Sequence, residues 1–292
     1  MERKLIKQGI GGLTFYVPSK WGKERNLKPG DLVDISELDD KLILSSKKIK
    51  KKQEIEITIN DESKEFIRNY LNQLYRLGYD KIKINSSDEK QLLLCQKFVQ
   101  MFLLGFEIVE VKKDHFVAEN ISEPSEEKES AILRRMFLLI ENSFSLALED
   151  LANGKQDKKE DMERNTRKVT QYDNFLRRNM VKQNLAFGKQ FFYWEFYNYL
   201  LLIQHVFFHL YQTKANLRDK KAIVGRMEEL SKNFSGIYQA FFNKDQKSLD
   251  KVQSKANKLY EDKTDSFLNE LARLQYLVCS PIISILQMPG EV

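Results

Sequence analysis

Cysteine is scarce in this sequence of 292 residues, and the two that occur stand far apart. Cys95 and Cys279 have no second cysteine nearby and lie in no Cys-x-x-Cys pattern, so neither a disulfide framework nor a zinc finger is indicated. A chain without a disulfide framework suits a reducing compartment, and we therefore expect a cytoplasmic protein.

Long apolar runs are missing as well, and we expect neither a signal peptide nor membrane insertion. The longest candidate span, residues 191–210, is interrupted by Glu195, Asn198, Gln204 and His205. Polar residues at these positions favour a buried helix over a membrane span.

Histidine and the common catalytic motifs are equally sparse. His205 and His209 have the spacing of a helical zinc pair, but Val206 stands where the His-Glu-x-x-His metalloprotease pattern needs glutamate. Ordinary helix-face histidines are therefore the better interpretation. With no Gly-x-Ser-x-Gly motif, and no Gly-rich phosphate loop after a predicted strand, we expect no enzyme, no catalytic residue, no metal and no cofactor.

What the sequence does have is a local excess of positive charge. Residues 1–52 carry thirteen Lys and Arg against seven Asp and Glu, which leaves 48 − 13 = 35 bases and 42 − 7 = 35 acids for the other 240 residues. The entire net charge of +6 therefore lies in this stretch. Such a field is typical of a surface that meets phosphates, although the lysine run at 47–52 is also consistent with a solvated linker.

The same stretch predicts a β-module that cannot stand alone. Residues 3–9, 13–17, 32–36 and 41–45 alternate between apolar and polar side chains, with a turn-rich passage after Pro18. Four short strands bury too little apolar surface to offset chain entropy. The simplest remedy is an isologous homodimer formed through residues 1–52, which would also place two basic patches side by side.

Landmark residues of this stretch carry a family resemblance. They are Arg3, Leu5, Gly9, Gly11, Gly12, Thr14, Tyr16, Val17, Pro18, Trp21, Leu27, Gly30 and Asp31, followed by the strand Lys41-Leu42-Ile43-Leu44. In this pattern the stretch resembles the swapped-hairpin domain of the AbrB/SpoVT/MazE DNA-binding family. The resemblance implies a dimeric β-module that lays basic side chains on double-stranded DNA. The candidate contacts are Arg3, Lys4, Lys7, Lys20, Lys23 and Arg25.

Beyond this module we expect two further domains, which makes the chain a multidomain α+β protein. Residues 53–121 alternate strand and helix patterns in a way that predicts a small α/β sandwich with helices on one face, of unassigned role. Residues 122–128, with Pro124 and several acids, suggest a linker. Residues 126–288 show only helical spacing, with breaks at 153–155 and at Gly188, and predict an all-α bundle of six helices.

A weak internal repeat divides this bundle into two three-helix halves. Leu202-Ile203-Gln204-His205 parallels Arg273-Leu274-Gln275-Tyr276. With helices so paired, the bundle resembles the PhoU family of phosphate-uptake regulators, and the order of the three domains resembles that of archaeal phosphate-uptake regulators. The family's metal-binding acids are replaced here by Gln204, Gln275 and, four residues before Asp173, by Val169. The resemblance therefore implies an absent or degenerate metal cluster.

Two functional hypotheses remain. The first is a dimeric transcriptional regulator of phosphate uptake, with the β-module on DNA and the bundle as a sensory or partner-docking domain. The alternative is a PhoU-like adaptor that docks on a phosphate transporter or a signalling kinase, with the β-module serving dimerisation. Two smaller expectations concern the bundle: the aromatic stripe at 191–197 is partly buried between domains or subunits, and Glu261 and Asp265 form a solvated turn.

Overall fold

The structure is a computed structural model that describes residues 2–38, 41–46, 52–122, 126–154, 156–183, 188–212, 220–261 and 265–288. The chain divides into two compact units, Met1–Lys51 (the first unit) and Lys52–Val292 (the second unit). The coarse prediction of a mixed α+β protein with small sheets and a helical C-terminal region is confirmed.

The first unit consists of two hairpins and a short helix. Its elements are β1 (Ile6–Gln8), β2 (Gly12–Thr14), α1 (Ser19–Glu24), β3 (Val33–Leu38) and β4 (Lys41–Ser46). Each consecutive strand pair forms its own two-stranded antiparallel sheet. The two predicted strand pairs are confirmed, and the predicted turn-rich passage is confirmed at residues 25–31 but is wrong directly after Pro18. The residues that directly follow Pro18 form α1, and Pro18 occupies its N-cap, which needs no amide donor.

Glycine sets two tight connections among the described residues of this unit. Gly9 and Gly11 flank the exposed tip of the first hairpin with φ of +63° and +90°. Between α1 and β3, the Asp31 amide donates to the Lys28 carbonyl at 3.0 Å, with Pro29 and Gly30 between them. Gly30 has φ of +92°, the left-handed conformation that a Pro-Gly turn of type II requires.

The second unit begins with a four-stranded mixed sheet. Its elements are β5 (Glu54–Thr58), α2 (Lys64–Arg76), β6 (Lys81–Asn85), α3 (Glu89–Phe102), β7 (Phe106–Val111) and β8 (His115–Asn120). The strand order is β5-β6-β8-β7, with β5 parallel to β6 and the other pairs antiparallel. The predicted strand and helix sequence of this region is confirmed.

Local signals explain these elements. The hydroxyl of Ser63 accepts from the Phe66 amide at 3.2 Å and caps α2, and the carboxylate of Asp88 accepts from the Lys90 amide at 2.8 Å and caps α3. Alternate residues of β6, Ile82 and Ile84, are fully buried against the helices. The opposite sheet face is polar, and on it Nζ of Lys52 lies 2.5 Å from Oε1 of Glu119. Of the predicted lysine linker, only Lys52 is among the described residues.

The rest of the second unit is helical. Its helices are α4 (Glu126–Asn153), α5 (Lys159–Gln183), α6 (Lys189–Gln212), α7 (Lys220–Phe242), α8 (Gln246–Glu261) and α9 (Ser266–Gln287). The predicted linker at 122–128 is partly wrong, because α4 already begins at Glu126. Residues 123–125 lie outside the described part of the chain. The predicted breaks near Gly154 and Gly188 separate α4, α5 and α6 as expected.

Helix packing follows a repeated scheme. The helices α4, α5 and α6 contact one another, as do α7, α8 and α9, and the two sets meet where α6 packs on α9 and α4 on α7. Phe137 lies near the centre, with its ring 5.4 Å from Phe234 and 6.0 Å from Phe196. Among the helices of the described residues, none combines the length and the apolar composition needed to cross a bilayer.

Candidate nucleic-acid interface

The six basic side chains predicted to contact DNA are all exposed in the first unit. Arg3 and Lys4 precede β1, and Lys7 lies within β1 directly opposite Leu13 of β2. Of the other three, Lys20 and Lys23 lie within the short helix α1, and Arg25 is its C-cap residue. The structure thus arranges them as two sets of three, one on the first hairpin and one on α1.

Arg25 differs from the other five cations. The centre of its guanidinium lies 4.7 Å from the ring centre of Trp21, and its Nη1 lies 3.7 Å from Oε2 of Glu24. Such a cation–π pair at i and i+4 stabilises the end of a helix. Within the described part of the chain, the side chains of the other five make no hydrogen bond and no ion pair: Arg3, Lys4, Lys7, Lys20 and Lys23.

The apolar side chains described in the first unit are exposed or half-buried. Among the side chains described in this unit, none is buried. Ile35 and Leu42 are each 61% exposed, and Ile35 pairs directly with Leu44. Because paired residues of antiparallel strands share a face, the β3–β4 hairpin presents one apolar face, which comprises Val33, Ile35, Leu42 and Leu44.

The second unit contains a charged cluster that the sequence did not predict. It joins α2 and the residues just after it to α5, and we call it the α2–α5 seam. Its charged members are Arg76, Asp80, Asp173, Arg177, Arg178 and Lys182. Two amides, Asn72 and Asn174, complete it, with Asn174 Nδ2 donating to Asn72 Oδ1 at 2.9 Å.

Asp173 is the centre of one half of the seam. Its fully buried carboxylate accepts from Nη2 of Arg76 at 2.8 Å and from Nε of Arg177 at 2.8 and 3.0 Å. Burial raises the pKa of Asp173, while the guanidiniums of Arg177 and Arg76 oppose that effect. Three charge-assisted hydrogen bonds favour the ionised form of this carboxylate.

Asp80 is the centre of the other half. Its Oδ1 accepts from Nη2 of Arg178 at 2.6 Å and from Nζ of Lys182 at 2.7 Å. Burial acts to raise the pKa of Asp80, but hydrogen bonds from Lys182 and the Gln53 amide lower it overall. Arg178 also donates to the backbone carbonyls of Tyr75 and Tyr79, at 3.0 and 2.7 Å. The seam therefore holds the sheet region against α5 by polar contacts.

One feature of the sequence pointed weakly to this seam. Asp173 and Arg177, like Arg178 and Lys182, stand four residues apart, and Asn174 adds a polar position to the same side of α5. Such spacing normally marks a solvated helix face. The partners Arg76 and Asp80 lie about a hundred residues earlier, so sequence alone did not bring them together.

No family model, curated protein or solved structure matches this chain. The assignment of each site therefore depends on the residues and their geometry alone.

Gln204 and Gln275, predicted to replace acids of a metal cluster, are fully buried inside the bundle. Gln204 accepts from the Ser143 hydroxyl at 2.9 Å and donates to the Thr166 hydroxyl at 3.1 Å. Gln275 accepts from Asn233 at 2.9 Å and donates to the Leu230 carbonyl at 3.0 Å. Both amides thus join helices of one three-helix set. In the part of the chain that the structure describes, no group of three or more acids, histidines and cysteines is arranged to hold a metal ion.

The remaining candidates fit structural roles. The rings of His205 and His209 are 6.5 Å apart, and burial, with smaller effects of His209 and Arg68, lowers the pKa of His205 to about 4. Burial raises the pKa of the Cys95 and Cys279 thiols to about 12, so neither is a thiolate nucleophile at neutral pH.

Two predictions about the bundle surface have mixed outcomes. In the aromatic stripe, Phe196 and Tyr197 are buried within the bundle, whereas Phe191 is exposed. Asp265 is no solvated turn residue. Its carboxylate accepts from the amides of Phe267 and Leu268 at 2.9 and 3.0 Å and caps α9. Residues 262–264 lie outside the described part of the chain.

Proposed function

We propose that this protein is a dimeric DNA-binding regulator of phosphate uptake, and that residues 1–52 form both its dimer interface and its DNA-binding surface. One observation carries the proposal. Among the described residues of the first unit, five of the six candidate cations have side chains without a partner, the apolar side chains are exposed or half-buried, and no side chain is buried.

The apolar side chains support the dimer. A hairpin pair of this size is marginally stable in water, and burying an aliphatic side chain stabilises by about 1.5–3 kcal/mol. Covering the face formed by Val33, Ile35, Leu42 and Leu44 with a second copy would supply that burial. An isologous interface doubles each contact, because every residue contributes once from each protomer.

The cations support a polyanionic partner. Arg3 and Lys4 lie just before β1 and Lys7 lies within it, all three exposed, and Lys20 and Lys23 lie one turn apart on α1. In a dimer each set occurs twice. Cations free of intramolecular ion pairs are available to replace the counterions of a phosphate backbone, which favours binding.

The choice of phosphate uptake depends on the resemblance of the domain order to phosphate-uptake regulators. In this proposal the helical region biases the DNA-binding module through a sensory or partner-docking role, and it must then make different contacts in two states. Docking on a transporter or kinase is a separate outcome that the DNA-binding experiment below distinguishes.

The test is fluorescence anisotropy of the full chain on duplex DNA from its own upstream region and on a scrambled duplex, over a salt series. About six phosphate contacts per dimer predict a log–log salt slope near −5. Lys4→Ala with Lys7→Ala removes four cations per dimer and should reduce the slope by up to about 3.6, at about 0.9 per contact. The control pair, Lys64→Ala with Lys97→Ala, changes two exposed lysines of the second unit and should leave the slope unchanged.

Preference for the upstream duplex, together with a slope that falls only in the first pair, supports the proposal. A folded, dimeric chain that binds neither duplex at low salt would contradict DNA binding. The adaptor function would then be tested with transporter and kinase partners.

A further inference from the structure

The Asp173 half of the α2–α5 seam carries more positive than negative charge. Its two cations, Arg76 and Arg177, meet one carboxylate, that of Asp173, which leaves an excess of one positive charge among the described residues. Buried charges are costly unless they are paired, so an excess of this kind requires a compensating anion or solvent.

Arg177 is where the excess is least compensated. Its side chain is 2% exposed, and its Nε is bound to Asp173. The guanidinium stacks on Trp194, with its central carbon 4.4 Å from the ring centre. Among the described residues, no acceptor reaches its two terminal nitrogens. A guanidinium that is oriented on two sides and unbound at its end matches the geometry with which arginine binds oxyanions.

Arg76 converges on the same place. Its Nη2 and the Nε of Arg177 donate to one oxygen, Oδ2 of Asp173, at 2.8 and 3.0 Å. Its Nε donates to Oδ1 of Asn174, and its Nη1 has no acceptor among the described residues. Asp173 therefore holds two guanidiniums side by side while it neutralises only one of them.

We propose that Arg76 and Arg177, beside Trp194, bind an oxyanion such as phosphate or sulfate. Both guanidiniums have terminal nitrogens without an acceptor among the described residues, and the carboxylate of Asp173 neutralises only one of the two charges. Only the further step, in which this ion acts as effector of DNA binding, depends on the function proposed above.

Trp194 provides a local signal for the test. The chain has two tryptophans, so Trp21→Phe leaves Trp194 as the sole reporter. Its fluorescence is recorded in the full chain during titration with inorganic phosphate, with sulfate and with chloride at constant ionic strength. A saturable change with phosphate or sulfate but not with chloride supports the site, and the comparison of the two divalent ions identifies the preferred one. The same response to all three salts would overturn the proposal.

Variants separate binding from a purely structural role. In the Trp21→Phe chain, Arg177→Met keeps an unbranched side chain against Trp194 and should abolish the saturable change. The control Arg167→Met alters an exposed arginine of the same helix and should leave it intact. Asp173→Asn removes the competing carboxylate and should tighten binding by about tenfold or more. A purely structural role for the seam predicts no ion dependence in any of these chains.

Folding and coupling are checked separately. If Asp173→Asn unfolds more readily, phosphate or sulfate should raise its melting temperature more than that of the parent chain, because the ion replaces the lost charge. No such rise would contradict the site. Anisotropy on DNA with and without the ion then tests the effector step. DNA binding without ion dependence would reject that step alone, whereas an ion response without DNA binding would reject the proposed function and retain the site.

Discussion

In the first unit no described side chain is buried, whereas the second unit packs two cores, one between α2, α3 and the sheet and one inside the helical region. Apolar residues are plentiful in both. In the second unit long helices place them on shared faces, whereas the described strands of the first unit form two separate two-stranded sheets. Burial here is decided by the number of layers and not by apolar content.

The comparison teaches where each unit gets its stability. The second unit contains what it needs within one chain, so its unfolding should not depend on protein concentration. For the first unit, a partner that covers its apolar face links folding to association, and its stability then follows protein concentration by mass action. Three substitutions with matched controls test this contrast.

The largest effect is expected at the centre of the bundle. Phe137→Ala removes a fully buried ring that contacts several other aromatic side chains, and should lower the free energy of unfolding of the second unit by about 3–5 kcal/mol. Its neighbour Leu138 is 53% exposed, so Leu138→Ala should change the free energy of unfolding by less than about 0.5 kcal/mol. Urea unfolding monitored by circular dichroism at two protein concentrations measures both. Equal losses in the free energy of unfolding for Phe137→Ala and Leu138→Ala would contradict the burial of Phe137 in the core.

A somewhat smaller effect is expected in the first unit, where the substitution should weaken dimerisation and its effect on stability should therefore depend on protein concentration. Ile35→Asp places a charge on the apolar face of the β3–β4 hairpin, and should weaken the dimer by about 3 kcal/mol, more than a hundredfold in dissociation constant. Ser45→Asp lies on the opposite face of the same hairpin and is the control. Sedimentation equilibrium of the full chains gives the constants. If Ile35→Asp dimerises like the parent, this face is not the interface.

The smallest effects concern two glycines of one helix and should have opposite signs. In α7, a Cβ at Gly236 would lie 2.6 Å from Cγ1 of Val252 on α8, so Gly236→Ala should destabilise by about 1–3 kcal/mol. A Cβ at Gly225 would meet nothing within 4 Å, so Gly225→Ala should stabilise by about 0.5–1 kcal/mol. Thermal unfolding of both chains measures the difference, and a shift in the same direction would show that α7 and α8 are not in close contact.

Sequence reasoning succeeded where the signal is local. Capping residues such as Ser63 and Asp88, stop signals such as Gly78, and the three- and four-residue spacing after residue 130 correctly predicted elements of the second unit. The short helix α1 escaped prediction because its six residues contain no apolar period, and its start depends on the fixed φ of Pro18. The beginning of α4 was missed because acidic residues suit the first turn of a helix as well as a linker.

The two candidate sites differ in the same way, because one depends on local sequence signals and the other on contacts between distant residues. The exposure of Arg3, Lys4 and Lys7 follows from charge and strand alternation, so sequence was sufficient to predict it. The partners of Asp173 follow from which helix packs on which, and that information is non-local. Charges spaced four residues apart are typical of a solvated helix face, but docking of α2 buries Asp173 completely.

The contacts of α5 have a consequence for how this protein can be taken apart, in the laboratory or in evolution. This helix is bound to the bundle through its apolar side and to the sheet region through Asp173, Arg178 and Lys182. A cut between β8 and α4 would leave Arg76 and Asp80 on one fragment and their counter-charges on the other. Any division or exchange of segments should therefore keep the sheet region and α5 together, because separating them would split these paired charges.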